Sequence, residues 1–316
     1  MNKVFDIVVV GELNVDLILN GLPSLPEEGK EILAKKMNLT LGSSSAIFAS
    51  NASILGNKIA FVGKIGKDSF GELVTQSLLA KSVNTDFIIY SEKEKTGATI
   101  VLNYGEDRAM VTYPGAMETL TIKDIKQEYL NSAKHLHVSS LFLQPALKKD
   151  IVTLFKKAKA AGMTTSLDIQ WDPDEKWDID IKSLLPLVDV FLPNEAELKA
   201  LTQEKNLDKS VEKIKPFINI MALKLGNKGS RGVTENSDIT VGSFLNKNVV
   251  DAIGAGDTFN AGFITQFLKG KPLDKCLQYG NLTGAVNTTE AGGTGAFLSF
   301  DEFKSRAKKY FDVTID

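Results

Sequence analysis

At 316 residues, 43% of them hydrophobic and 24% charged, the chain is long enough to bury a sizeable core and ordinary in composition for a globular protein. A formal net charge of −2, with no long block of like charge, argues against a nucleic-acid or membrane-surface partner. The lone cysteine, Cys276, excludes an internal disulfide, and neither a signal peptide nor a membrane span is legible, so a cytoplasmic protein is expected.

Val4 to Val10 is a β-branched run ending at Gly11, the pattern of a strand buried on both faces. The following GELNVDLI sets Asn14 and Asp16 two apart. In extended backbone both side chains point the same way, and a carboxamide beside a carboxylate suits vicinal hydroxyls; ordinary loop polarity would look the same. No GxGxxG follows, which disfavours a nicotinamide-binding first unit. After Pro23, Pro26 and Gly29, Glu31 to Leu41 reads as a short strand, and Ser43 to Leu55 as a helix opened by Ser43, Ser44 and Ser45 and stopped at Gly56. Ile59 to Gly63 is a further strand, leading to a helix around Leu73 to Lys81. TGATIVLNYGEDRAMVTY, Thr96 to Tyr113, reads as a hairpin about Gly105-Glu106-Asp107. With Glu31 to Leu41 it predicts a small antiparallel sheet projecting from the body, either a flap over a site or a dimer contact.

Beyond this hairpin the alternation is regular. Helices are expected at Ile122 to Leu130 and Lys148 to Ala161, strands at Leu136 to Ser140 and Thr164 to Ile169. Such βα repetition predicts a doubly wound parallel sheet with ligands at the strands' carboxyl ends, where Asp168, Asn194, Gly226 and Asp251 fall. His135 and His137 share one face of a strand; with no further Cys or His nearby they read as structural or solvent-facing rather than as zinc ligands. Cys276 falls in a helical stretch and reads as a core residue.

The most informative segment is VVDAIGAGDTFNAGFITQFLKG, Val249 to Gly270, which reads as strand, small-residue turn and helix. Gly254, Ala255 and Gly256 leave the first helical N–H groups unshielded, and those groups with the helix dipole form an anion site. Asp257 beside that site suits a helix cap, or else a base that takes a proton from an incoming hydroxyl while the turn steadies a moving phosphoryl group.

Taken together, DAIGAGDTFNAG at Asp251 to Gly262, GELNVD, the glycine-led helix ending at Leu55-Gly56, VGKIGKDSFG at Val62 to Gly71, PNEAE at Pro193 to Glu197 and KLGNKGSRG at Lys224 to Gly232 resemble the PfkB carbohydrate kinases, also called ribokinase-like. The resemblance spans essentially the whole chain. It implies one ribokinase-like α/β domain over 1–316, a mostly parallel sheet flanked by helices, with a small β lid formed by about 15–40 and 96–114. It implies ATP-dependent phosphorylation of a sugar hydroxyl, with Asp257 as base and Gly254, Ala255 and Gly256 as anion hole. Asn14, Asp16, Gly42, Ser43 and Asp168 would then meet the sugar, and Asn194, Glu197, Lys224, Gly226, Gly229 and Asn287 the nucleotide. Glu197 would act on Mg2+ through water, and Asp251 with the Ile253 carbonyl would form a monovalent-cation site, making K+ activation a hypothesis. A homodimer through the lid is a further expectation.

Three departures from the family pattern stand out. In GSSSAIFASNASILG, Ser43 replaces a second glycine and Ile47 an asparagine, and Met117 sits where asparagine is common. Members of that family that act on phosphorylated sugars usually place basic residues near this motif, and none lies between Gly42 and Gly56, so the resemblance implies a non-phosphorylated sugar or sugar acid, of ribose, fructose or 2-keto-3-deoxygluconate type. In SLDIQWDPDEKW, Trp171 reads equally as pocket wall or core. The rival readings are a nucleoside kinase on the same scaffold and a non-catalytic sugar or nucleotide sensor.

Overall fold

The computed structural model describes residues 3–104 and 107–315. The tip of the hairpin expected at Gly105-Glu106 lies outside the described residues. The main sheet has eight strands, in spatial order Asp238–Val241, Ser230–Val233, Ile220–Lys224, Val190–Phe191, Thr164–Asp168, Ala133–Ser139, Phe5–Val10 and Ile59–Val62. The last six run parallel, and the first two add an antiparallel edge.

Along Phe5–Val10, Ile7 and Val9 pack into one apolar layer and Val8 and Val10 into the other, all fully buried. That two-sided burial is why the strand reads as an uninterrupted apolar run. One layer holds the helices Ser44–Ile54, Ser69–Ala80, Ala255–Leu268, Leu273–Asn287 and Phe300–Phe311; the other holds Ile151–Ala160, Glu195–Thr202 and Leu207–Ile214. Cys276 is buried in the first.

His135 and His137 are buried on the face of Ala133–Ser139 that carries hydroxyls from its neighbour. His135 hydrogen-bonds Thr164 Oγ1 (2.8 Å) and Ser166 Oγ (2.7 Å); His137 hydrogen-bonds the same Ser166 Oγ (2.7 Å) and Ser139 Oγ (2.8 Å). Burial drives the His135 pKa down to about 3 and that of His137 well below its ordinary value, so both rings are neutral.

A second sheet has four strands, in the order Lys36–Leu41, Asn14–Asn20, Gly97–Tyr104, Asp107–Tyr113. It is mixed rather than antiparallel: its central pair is parallel and the outer pairings are antiparallel. Asn14 and Asp16 lie inside one of its strands, not in a loop beyond the first strand. Cross-strand rows alternate in character. Thr40, Asp16, Thr99 and Thr112 form one row, whereas Leu39, Leu17, Ile100 and Val111 form the next on the opposite face, where Val111 is 63% exposed.

Other boundaries shift for local reasons. The strand expected from Glu31 begins at Lys36, where pairing with Asn20 begins. The helix expected from Ile122 shortens to Gln127–Asn131, because Asp124 accepts from the Thr121 amide (2.8 Å) and hydroxyl (2.8 Å), a turn that competes with helix. The expected strand at Val249-Val250 does not form: no strand pairs with it, and the two valines are 57% and 61% exposed. Asp251 is therefore in a loop rather than at a strand end.

Candidate active site

The loops after the parallel strands converge at one end of the sheet. Gly11 follows the first strand, and a side chain does not fit there because a Cβ would lie 1.9 Å from Ser45 Oγ, which hydrogen-bonds the buried carboxyl of Glu12. Burial pushes the Glu12 carboxyl above its ordinary pKa, against the hydrogen bonds from Ser45. Ser43 occupies a left-handed backbone conformation, φ 70°, where glycine is the unstrained choice. Its hydroxyl holds it there by donating to the Glu12 carbonyl (2.6 Å) while accepting from the Ala46 amide (2.9 Å), as helix cap.

A Cβ on Gly42 would stand 2.3 Å from Asp16 Oδ1 and 2.7 Å from Asn14 Nδ2, so its absence lets both side chains lie across the strand end. Asn14 Nδ2 donates to Asp16 Oδ1 (3.0 Å) and Thr99 Oγ1 (3.0 Å), and Thr99 hydrogen-bonds Thr112 (3.0 Å). This polar face of the second sheet forms one wall of a cavity of about 780 Å³, whose other walls include Glu12, Ser43, Gln170, Trp171 and Asp257. Trp171 is a rim residue, half exposed and edge-on to Trp177 at 5.1 Å, which settles it as wall rather than core. Ile47 also lines the cavity, while Met117 is buried away from it.

Gly254, φ 73°, begins the helix Ala255–Leu268 with no side-chain cap, and a Cβ there would come 2.6 Å from Gly293 Cα. Asp257 sits in the first turn, only 7% exposed, and caps nothing. The turn is the common wall of two cavities: Ile253, Gly254 and Asp257 face the large one, while Ala252, Ala255 and Gly256 face a second of about 240 Å³. The second cavity is also lined by Lys224, Gly226 and Gly229. Gly229, φ 97°, is required there because a Cβ would meet the Val241 carbonyl at 2.0 Å.

Between the cavities lies a buried charge network. Asp168, fully buried, accepts from Lys224 Nζ (2.7 Å), Asn260 Nδ2 (2.5 Å) and Gln170 Nε2 (3.0 Å), all on Oδ2. Gln170 Nε2 also donates to Asp257 Oδ1 (3.0 Å). Burial, reinforced by the Asp168 charge and partly offset by Lys224, raises the Asp257 pKa to about 7. Desolvation thus favours the protonated form of this carboxyl more than in an exposed aspartate. Burial and then Asp168 likewise raise Glu197 to about 7. Burial opposes the charge on Lys224, but Asp168 and Glu197 outweigh it and raise the lysine's pKa.

Other expected site residues occupy supporting positions. Asn194 and Glu197 form a reciprocal capping box: Glu197 accepts from the Asn194 amide (2.8 Å) and Nδ2 (2.6 Å) while Asn194 Oδ1 accepts from the Glu197 amide (2.9 Å). Neither lines the two cavities. Asn287 is buried beneath the turn, its Nδ2 donating to the Ile253 carbonyl (2.7 Å) and its Oδ1 accepting from Thr258 (3.1 Å). The Asp251 carboxylate accepts from the Ile253 amide (2.9 Å) and the Gly292 amide (3.0 Å). Glu12, Gln170 and Asn260 were not singled out from sequence. No local spacing signals Gln170, whose reach depends on a left-handed backbone two residues past the strand end.

The arrangement sets a wall of carboxamide, carboxylate and threonine hydroxyl groups beside a desolvated carboxyl, and an uncapped helix start beside a lysine-lined slot. Residues 4–299 match the pfkB family carbohydrate kinase model. An uncharacterized sugar kinase of Archaeoglobus fulgidus is 30% identical over 233 residues, covering 74% of this chain and 92% of that protein. The 2-dehydro-3-deoxygluconokinase of Bacillus subtilis is 29% identical over 264 residues, 80% of this chain and 82% of the other. Arabidopsis thaliana ribokinase, solved with ribose and ATP, superposes with a TM-score of 0.83 at 25% identity, over 98% of this chain and 99% of that one. With a family match along nearly its whole length and a ribokinase-like fold, the chain belongs to the pfkB family of carbohydrate kinases.

Proposed function

We propose that this sugar kinase transfers the γ-phosphoryl group of ATP to a hydroxyl of a non-phosphorylated sugar or sugar acid, with Asp257 as general base. One observation carries the reading: the turn Ile253 to Asp257 divides the two cavities, so a hydroxyl in the larger and a polyphosphate in the smaller meet across it. Asn14 and Asp16 orient the sugar. Asp257 takes the hydroxyl proton as that oxygen forms its bond to the γ-phosphorus and the bond from phosphorus to the departing ADP oxygen breaks. The helix N–H groups at Gly254, Ala255 and Gly256 and the Lys224 ammonium offset charge on the transferred group.

Among the described residues no cluster of three or more acidic, His or Cys side chains could cage a metal. Mg2+ would be held largely by phosphate oxygens and water beside Glu197, and when bound supplies charge neutralisation. Both oxygens of Glu197 are engaged by Asn194, so its contact with the ion would run through water. The potassium reading at Asp251 and the Ile253 carbonyl rests on the family resemblance; replacing K+ at constant ionic strength tests it, and an unchanged rate rejects it.

The sugar or sugar-acid class rests on the polar wall, on the absence of basic residues between 42 and 56, and on relatives such as 2-dehydro-3-deoxygluconokinase. Of the two lysines that reach the outer wall, Lys176 is paired with Asp174 (2.8 Å). The rival nucleoside-kinase reading is favoured by Trp171 and Phe142 on that wall, aromatic faces on which a base would stack. ADP release across a panel of pentoses, hexoses, sugar acids and nucleosides separates the two, and silence across the panel would leave the sensor reading. The second sheet serves as lid with its polar face, and its uncharged row Leu39, Leu17, Ile100 and Val111 suits a second copy of the chain, an isologous dimer. Ile100→Lys should then give a monomer by light scattering; parental and variant proteins of equal mass would reject it.

A further inference from the structure

We propose that Gln170 is a positioning residue for the base, clamping Asp257 through Oδ1 and linking it to the ion pair that borders the nucleotide cavity. The inference rests on Asp257 acting as base. Gln170 Nε2 has two hydrogens and two carboxylate partners, Asp257 Oδ1 and Asp168 Oδ2, each at 3.0 Å. A primary amide bridging two carboxylates has both donors committed, so its rotation is fixed and the plane of the Asp257 carboxylate is fixed with it. With Oδ1 held by this donor, and the Ser44 hydroxyl bonding the same carboxylate, the base meets the sugar in a set orientation.

The backbone shows that this placement is built. Gln170 adopts φ 58°, a left-handed conformation that a non-glycine side chain rarely takes, and its amide N–H points back to Asp168 Oδ1 (3.3 Å). Two residues past the strand end, that bend brings the side chain into the wall of the large cavity between the two acids. Asp168 is meanwhile anchored from below by Lys224 and Asn260, so the amide is held against a fixed group and steers a neighbouring one. Lys224 also borders the second cavity. Nucleotide cavity, Lys224, Asp168, Gln170, Asp257 and sugar cavity thus form one continuous path of charge-assisted hydrogen bonds. Loss of the donor to Asp257 would disfavour the ionised form and free the carboxylate to turn.

The test is Gln170→Met, which keeps the length and removes both donors, read by steady-state kinetics from pH 5.5 to 9. Expected are a kcat about tenfold to a hundredfold lower, an unchanged KM for ATP, and an acid limb of the pH profile moved up by about one pH unit. A folded variant with parental kcat and an unmoved limb overturns the inference, as does a rise in sugar KM alone, which would mark Gln170 as mere wall. Should Gln170→Met fail to fold, Gln170→Asn, one methylene too short to bridge both acids, is read by the same limb: a rise supports the clamp, no rise rejects it. Asp257→Asn separates this inference from its premise. A dead Asp257→Asn with an unaffected Gln170 variant sinks only the clamp, whereas an active Asp257→Asn removes the base itself.

Discussion

Asp257→Asn should cost activity and gain stability at once, and the two effects have separate origins. The carboxyl is 7% exposed, and burial, with Asp168 close by, raises its pKa from an ordinary 3.8 to about 7. Each pH unit of displacement is worth about 1.4 kcal/mol, so keeping the ionised form in this site costs on the order of 4 kcal/mol. The sign follows from proton binding. Between pH 3.8 and about 7 the folded protein holds this proton more tightly than the unfolded chain does, so the contribution to stability is complete below 3.8. It is lost progressively as pH rises and is fully absent above about 7. An asparagine keeps an oxygen for Gln170 Nε2 to donate to and carries no charge. At pH 8 the variant should therefore unfold several degrees above the parent, and the gap should close as the pH is lowered toward 4. Turnover should fall at least about a hundredfold with nucleotide affinity retained. Thermal unfolding at pH 4, 6 and 8, combined with ADP-release kinetics, measures both. A variant less stable than the parent at pH 8, or one that keeps its kcat, would refute the reasoning.

Three further outcomes follow from the same geometry. The kcat/KM of the parent should rise with pH through an acid limb near 7, because the base must lose its proton; a flat profile from pH 5.5 to 8 would reject the raised pKa. Gly42→Ala places a methyl 2.3 Å from Asp16 Oδ1 and should lower kcat/KM for the sugar by about ten- to a hundredfold while sparing the KM for ATP. An unchanged sugar KM and kcat would remove Asn14 and Asp16 from substrate binding. Lys224→Met strands the buried Asp168 without its cation, for an expected loss of about 3–5 kcal/mol in denaturant unfolding and an acid limb shifted upward, since Lys224 holds the Asp257 pKa down.

The parts of the site that sequence revealed are those built from neighbours along the chain. Gly254 to Asp257 is a turn and the helix it opens, and every residue needed to recognise it lies in one short run. Strand periodicity put Asn14 and Asp16 on one side but left loop polarity an equal reading; the sugar role came from the family resemblance, and the strand belongs to the second sheet. Gln170, Asn260 and Lys224 were harder because their meeting on one oxygen of Asp168 depends on the ends of two strands and a helix closing together. Lys224 was noted for its loop, not for its partner. Val249-Val250 misled because β-branched residues favour pleated backbone only where a neighbouring strand supplies the ladder, and the sheet already ends at Asp238–Val241. Asn194 and Glu197 satisfy a local capping pattern as well as a family motif, and in this structure the cap is what their hydrogen bonds serve.

The chain of Thr164, His135, Ser166, His137 and Ser139 has a consequence for how the sheet is assembled. Valine and leucine ladders tolerate a slipped pairing of parallel strands, since one apolar side chain replaces another. Here a slip of one residue between Ala133–Ser139 and Thr164–Asp168 would turn two imidazoles toward the opposite apolar layer and set Leu136 and Val138 against two buried hydroxyls. Each stranded polar group would cost about 1–3 kcal/mol. The histidines thus key these two strands to a single alignment, and that alignment is what delivers Asp168, at the end of the second strand, to the level of the turn it serves.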